Sequence, residues 1–367
     1  KAIMSATSSD VHPGLCRMLL AAAITTSLIS LEALSAPVTT IDAFFDPNGL
    51  EVAPEDYPTA ETSRQLLIAQ SRAPVNALNH ARQLTQTNDQ PVVRMNRDSY
   101  YSFAVVDVSA GASITIPPIP EGTYASVQPV TEDHRIQPMS YGSGTFQLAT
   151  HKGSHIYVIV RLDSTLSQAD ANRIQDGMSI SAGSAEAFSA EPVNEASFMA
   201  TEASIRAKAP QMLAEEGGNA IFGMFTAPTD ASRGSYTVYK HLMGAALGWG
   251  GAQSIDNLYE LSPQYPAEGC HQATFEDPRN GAFWSFTVYD EAGFMFDDLA
   301  SVSSDTATPN EDGTFTVSFG CGSDAMNNIP TINNSGVFNL TARHYRPSER
   351  VRDEGYRLVP FVKKVSE

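Results

Sequence analysis

Met95-Asn96-Arg97-Asp98-Ser99-Tyr100-Tyr101-Ser102 and Phe283-Trp284-Ser285-Phe286-Thr287-Val288-Tyr289-Asp290 are the two stretches on which the fold turns. Both mix aromatic and β-branched residues, which suit a pleated half-buried surface, with polar groups that an ordinary core strand leaves out. In the second stretch Trp284, Phe286 and Val288 alternate and belong to one face, the core face. Working outward, Tyr101 to Val108, Ser113 to Ile116, Tyr124 to Val130, Gly144 to Ala149 and His155 to Leu162 alternate in the same way. Gly and Pro clusters punctuate these runs at intervals of roughly ten residues, the spacing of an antiparallel sandwich or barrel.

A second β region opens near Asn257, runs through the Trp284 strand and Thr314–Phe319, and ends in Gly336–Tyr345 before Pro347. Asp312-Gly313 is a hairpin signal ahead of Thr314. Between the β regions the pattern is helical. Ser167 has the character of an N-cap, Ala200 to about Glu216 is Ala-rich with Pro210 set to split it, and a further helix is expected within Thr229–Gly248. Before the first β region, Glu61 to about Gln86 has helical spacing interrupted at Pro74. The expected organisation is therefore mainly β, with two antiparallel β-sandwich-like domains joined by a helical segment. Its parts are a signal peptide over 1–35, an extension with short helices over 36–90, a first β domain over 91–170, the helical connector over 171–250 and a second β domain over 251–367.

The 367 residues exceed one small core and suit about two domains. Charged residues make up only 17% and hydrophobic residues 42%, the balance of a folded chain. A net charge of −18 argues against nucleic acid as a standing partner. The apolar run Met18–Leu31, preceded by Arg17 and followed by Ala33-Leu34-Ser35, has the length of a signal-peptide core and is short for a membrane span. It points to a periplasmic or secreted protein with no transmembrane span in its mature part. Cys16 would leave with that segment. Cys270 and Cys321, 51 positions apart, then either close a loop as a disulfide or stay as two buried thiols.

The quoted stretches resemble a bacterial two-part family, the domain of unknown function 1254 followed by the domain of unknown function 1214. In the first part the resemblance rests on Asn96-Arg97-Asp98, Tyr101-Ser102, Asp107-Val108-Ser109, Ile114 to Pro117 and Tyr124 to Val127. In the second it rests on Phe283 to Asp290, Asn310 to Gly313, Phe338 to Tyr345 and Pro347. It covers roughly residues 60–365. Where such proteins often have Trp-Leu-Pro before the last strand, this chain reads Asn328-Ile329-Pro330. The helices before residue 250 are also shorter than usual. The resemblance implies two mostly β domains in the bacterial envelope and no agreed substrate.

Polar residues on apolar strands single out the candidate site. Arg97 can bind an anionic group bidentately, and Asp98 can act as a base or, at most, a ligand to a divalent metal. Glu132-Asp133-His134-Arg135 is the densest charged run of the first region, and His134 is its acid–base candidate. Asp290 ends the Trp284 strand. The catalytic candidates are thus Arg97, Asp98, His134 and Asp290, with Asn96, Tyr101, Tyr289 and Arg343 as ligand-binding neighbours. No G-x-S-x-G, P-loop, G-x-G-x-x-G or H-E-x-x-H occurs in the sequence. Two readings remain: a hydrolase with its site in a cleft between the domains, or a non-catalytic module binding a small molecule or an envelope polymer.

Overall fold

The computed structural model describes residues 36–90, 93–228 and 236–365. The expected signal peptide with Cys16, and Val92 at the head of the first β region, lie outside them.

The first half is built on a five-stranded antiparallel sheet. Its long strands are β1 (Ser99–Asp107), β3 (Ala125–Thr131) and β5 (His155–Asp163), with β5 between the other two and the two-residue strands Asn79–His80 and Ser140–Tyr141 at the edges. A three-stranded sheet of β2 (Ala112–Ile116), β4 (Gly144–Leu148) and β6 (Ser179–Ala182) packs on it. Ala104 and Val106, Ile156, Val158 and Val160, and Val127 meet Ile114, Ile116 and Leu148 in one core. That is the sandwich the alternation demands, because each strand sends every second side chain to the shared interior.

The second half repeats the arrangement. β7 (Asn257–Leu261), β12 (Val337–Tyr345), β9 (Trp284–Tyr289) and β10 (Ser301–Ser303) form one sheet in that order. β8 (His271–Glu276) and β11 (Thr314–Phe319) form the other. Trp284, Phe286 and Val288 face Phe275, Val317 and Phe319 across the core, as their alternation requires. The Asn310–Gly313 turn forms, with Gly313 at φ +81°. It is not a hairpin, however: β10 and β11 belong to different sheets, so this turn carries the chain from one layer of the sandwich to the other. Asn328–Ile329, in place of the Trp-Leu-Pro segment, runs parallel to β11 and fills the core with Ile329. Cys270 and Cys321 are bonded beside the β8–β11 pair.

The helical parts cover the first sheet. α1 spans Tyr57–Arg72 and ends at Ala73, which is extended ahead of Pro74. The residues expected to continue as helix instead place Asn79–His80 on the edge of β1. α2 (Gln168–Asp176) is capped by Ser167. α3 (Glu195–Arg206) and α4 (Ala209–Glu216) are separate helices, with Pro210 in the first turn of α4 as its missing N–H dictates. α5 (Val238–Gly248) starts at a Thr237 cap. The connector is not a plain linker. Phe198, Ile205, Met212 and Met243 join Leu66 and Leu67 of α1 over Val105, Tyr157 and Ile159 of the sheet. Among the described residues no helix is long and apolar enough to cross a membrane.

Candidate functional site

One face of the five-stranded sheet has two kinds of cover. On β5 the outward residues are Tyr157, Ile159, Arg161 and Asp163; on β3 they are Ser126, Gln128 and Val130. The apolar end lies under the helices. The polar end lies against the second half, whose facing sheet is polar too: Ser285, Thr287 and Tyr289 of β9, Thr341, Arg343 and Tyr345 of β12, and Asn257 and Tyr259 of β7. Most of these side chains are buried, so their hydrogen bonds must be made inside the seam, to neighbours on the same sheet or across it.

The Asn96-Arg97-Asp98 corner is wedged into that seam just before β1. Asp98 is 2% exposed. The Ser285 and Tyr345 hydroxyls donate to its Oδ2 at 2.6 and 3.0 Å, and the Ser301 hydroxyl donates to its Oδ1 at 2.8 Å. Burial, and then the charge of Asp98, hold the Tyr345 phenol well above its usual range, so it remains a donor. Asn96 Oδ1 accepts the Asp98 backbone N–H at 3.0 Å, and its amide donates to the Tyr101 hydroxyl at 3.0 Å. The Tyr289 hydroxyl donates to the Met95 carbonyl at 2.7 Å. Arg343 donates to Thr287 Oγ1 at 2.9 Å, to the Tyr289 hydroxyl at 2.7 Å and to the Arg94 carbonyl at 2.9 Å.

Five candidates, Asn96, Asp98, Tyr101, Tyr289 and Arg343, are therefore joined at one place. The other three are elsewhere in role. Arg97 turns to the rim, where it donates to the Thr85 carbonyl at 2.6 Å and to Asp298 at 3.1 Å. Asp290 is a turn residue whose Oδ1 accepts the Phe294 N–H at 3.0 Å. His134 belongs to the helix-covered end. It is fully buried at φ +58°, its Nε2 accepts the Gly250 N–H at 3.0 Å, and it lies 5.7 Å from the His241 ring and 5.8 Å from Trp249. Burial, then His241 and Arg135, hold its pKa well below the ordinary value, so it is a neutral core ring.

The sequence reading missed Arg161, Gln128, Tyr259, Ser285 and Ser301. A signal for the first was present: one arginine in the otherwise apolar run His155–Leu162. A further cleft of about 250 Å³ lies over the start of β5, lined by Glu132, Ser154, His155, Glu186 and Phe188 among others. There Ser154 Oγ is 2.9 Å from His155 Nδ1, and His155 Nε2 is 2.8 Å from the Glu186 carbonyl. The contact resembles a nucleophile–base pair. Glu132 Oε1, however, already takes the backbone N–H groups of Ser154 and His155, each at 2.9 Å, the donors that a developing oxyanion would need there. Among the described residues no group of three or more His, Cys, Asp or Glu side chains is placed to hold a metal ion.

Comparison with known proteins agrees with this architecture. No curated protein matches the chain. The VPA0106 protein from Vibrio parahaemolyticus is similar in structure, with a TM-score of 0.60 at 16% identity over 85% of this chain and 98% of that one. An uncharacterized protein from Burkholderia cenocepacia aligns with a TM-score of 0.48 at 11% identity over 80% of this chain and 84% of that one. Residues 75–171 match the family described as protein of unknown function DUF1254, and residues 267–349 match the one described as protein of unknown function DUF1214. The first match takes in the Asn96-Arg97-Asp98 wedge and the second takes in Ser285, Ser301, Arg343 and Tyr345, so the seam is where the two matched regions meet, and the chain carries a DUF1254 region followed by a DUF1214 region.

Proposed function

We propose that this protein is an exported, non-catalytic binding module of the bacterial envelope, taking a small molecule or an envelope polymer. The observation that carries this reading is the condition of Asp98. A general base must reach the proton it abstracts. All three hydroxyls that Asp98 accepts come from the second half, and it is 2% exposed. The carboxylate is spent on holding the halves together. Export is supported by the apolar run Met18–Leu31 and by the Cys270–Cys321 bond, which suits an oxidising compartment.

A hydrolase acting in the seam is the second reading. What favours it is buried charge gathered between two domains, Asp98 beside Arg343, an arrangement common to active sites. The test is a turnover screen of residues 36–367 against esters, phosphoesters and glycosides, with Asp98→Asn alongside. The binding reading expects no turnover that depends on Asp98. Hydrolysis by the native chain that Asp98→Asn abolishes would overturn it. Expression with residues 1–35 in a bacterial host should give a processed chain in the periplasm. Retention of the uncut chain in the cytoplasm would remove export from the proposal.

A further inference from the structure

We propose that the cleft over the start of β5 is a binding site for a primary ammonium group, carried by a small amine or an amino sugar, with Glu132 as its counter-ion. This gives a place and a ligand class to the binding reading above and rests on it for its purpose.

Three pieces of chain build the cleft. Glu132 lies in the turn after β3, Gly153 and Ser154 lead into β5, and Glu186 to Ser189 follow β6. The volume of about 250 Å³ is far above the roughly 10–15 Å³ that one water needs, so there is room for a small organic ligand or the end of a larger one.

The Glu132 carboxylate is fixed before any ligand arrives. Its Oε1 accepts the backbone N–H groups of Ser154 and His155, each at 2.9 Å. The carboxylate lies against Gly153, at φ +71°, where a Cβ would run into it. The other oxygen, Oε2, has no hydrogen-bond donor among the described residues, and no Lys, Arg or His among them forms an ion pair with Glu132. The nearby His151 is engaged by Asp133 at 3.0 Å instead. A charged group held in place by backbone donors meets its ligand without having to be ordered first.

The protons of the cleft are assigned by their partners. His155 is 4% exposed, and its Nε2 lies 2.8 Å from the Glu186 carbonyl, which can only accept. Nε2 therefore carries the proton of the neutral ring, Nδ1 accepts, and the Ser154 hydroxyl 2.9 Å away donates to it. Ser154 Oγ is left with lone pairs alone. So are Glu132 Oε2 and the Glu186 carboxylate at the exposed rim. Of the side chains that line the cleft only the Ser189 hydroxyl can still donate. A wall of acceptors beside an unpaired carboxylate suits a cation that brings its own hydrogens.

Two other cations suit it less. Phe188 is 3% exposed and meets the His155 ring edge-on, so the cleft has no open aromatic face of the kind that holds a quaternary ammonium. A divalent metal needs more protein oxygens, and among the described residues no group of three or more His, Cys, Asp or Glu side chains is placed to hold one.

The test is calorimetric titration of residues 36–367 with putrescine and with glucosamine near neutral pH, at fixed ionic strength. The chain carries −18 and draws every cation weakly, so choline and magnesium are titrated alongside. Saturable binding of an amine that neither choline nor magnesium matches is the expected result. Binding of glucosamine alone assigns the site to an amino sugar, of putrescine alone to a small aliphatic amine, and of both to the ammonium group itself. Glu132→Gln keeps an oxygen for the two N–H groups but removes the charge, and should weaken binding by about tenfold or more; Ser154→Ala should weaken it several-fold. Binding that choline or magnesium matches, binding that both variants leave unchanged, or no binding of either amine overturns the proposal. Should Glu132→Gln fail to fold, the native titrations and Ser154→Ala still decide it. Hydrolysis that depends on Asp98 in the turnover screen, together with amine binding, would sink the non-catalytic reading and leave this site standing. No hydrolysis and no amine binding would sink this site and leave the binding reading to another ligand.

Discussion

The two ends of one sheet face make the most instructive comparison in this molecule. At the end under the helices, Tyr157 and Ile159 meet Leu66, Phe198 and Met243. At the other end, the corner before β1 meets a second sheet through side-chain hydrogen bonds, with Asp98 accepting from Ser285, Ser301 and Tyr345 and Arg343 donating to the Arg94 carbonyl. Apolar contact is non-directional and tolerates repacking. A hydrogen-bonded seam admits one register, because each donor needs its own acceptor. The same strands thus carry an adaptable cover at one end and a keyed joint at the other.

The largest expected break is Asp98→Ala. It strands three hydroxyls and removes the anion acting on Arg343, and should cost about 3–5 kcal/mol in urea unfolding. It should also split one transition into two as the halves uncouple; a single transition with a loss below about 1 kcal/mol would put both ends on the same footing. Leu66→Ala, fully buried in the apolar cover, should cost roughly 3 kcal/mol while the transition stays single.

Mild acid should act strongly on the helix-covered end. Burial, then Arg135, bring His241 down to about 4 from the ordinary 6.5, against smaller raising effects of Asp133, whose carbonyl lies 3.0 Å from its Nε2. Above pH 6.5 the ring is neutral in both folded and unfolded chains and its contribution is complete. As pH falls from 6.5 towards 4 only the unfolded chain takes up the proton, so stability drops by at most about 3 kcal/mol and then levels. His241→Gln should make that slope shallower in a pH series of unfolding curves, leaving the part that His134, also held below its ordinary value, contributes; a slope unchanged by the substitution would move its origin away from His241. The smallest effect sharpens the comparison: Ser301→Ala leaves Asp98 two hydroxyls and should cost about 1 kcal/mol.

Much of this architecture was legible in the chain. The period-two pattern located the strands, and Ser167 and Pro210 marked helix ends where they occur. The Trp284 stretch announced its core face. The seam was legible from one side only. Asn96-Arg97-Asp98 stands out because three polar residues precede a strand, but its partners Ser285 and Ser301 are ordinary serines 187 and 203 positions away. Pairing at that range follows from how two sheets stack, which no local pattern encodes. His134 misled for a related reason. A charged run suggests solvent, and here the turn at φ +58° folds its ring inward beneath Trp249.

The wedge has a consequence for how the chain is made. Asp98 leaves the ribosome long before Ser285, Ser301 and Tyr345, the residues that satisfy it. Until they arrive, a nascent first half holds an ionised side chain and an arginine on a sheet face with nothing to cover them. A gene product stopped near residue 250 should therefore be a substrate for chaperones and proteases rather than a working domain, and cutting this protein between its two matched regions is the wrong way to obtain either one.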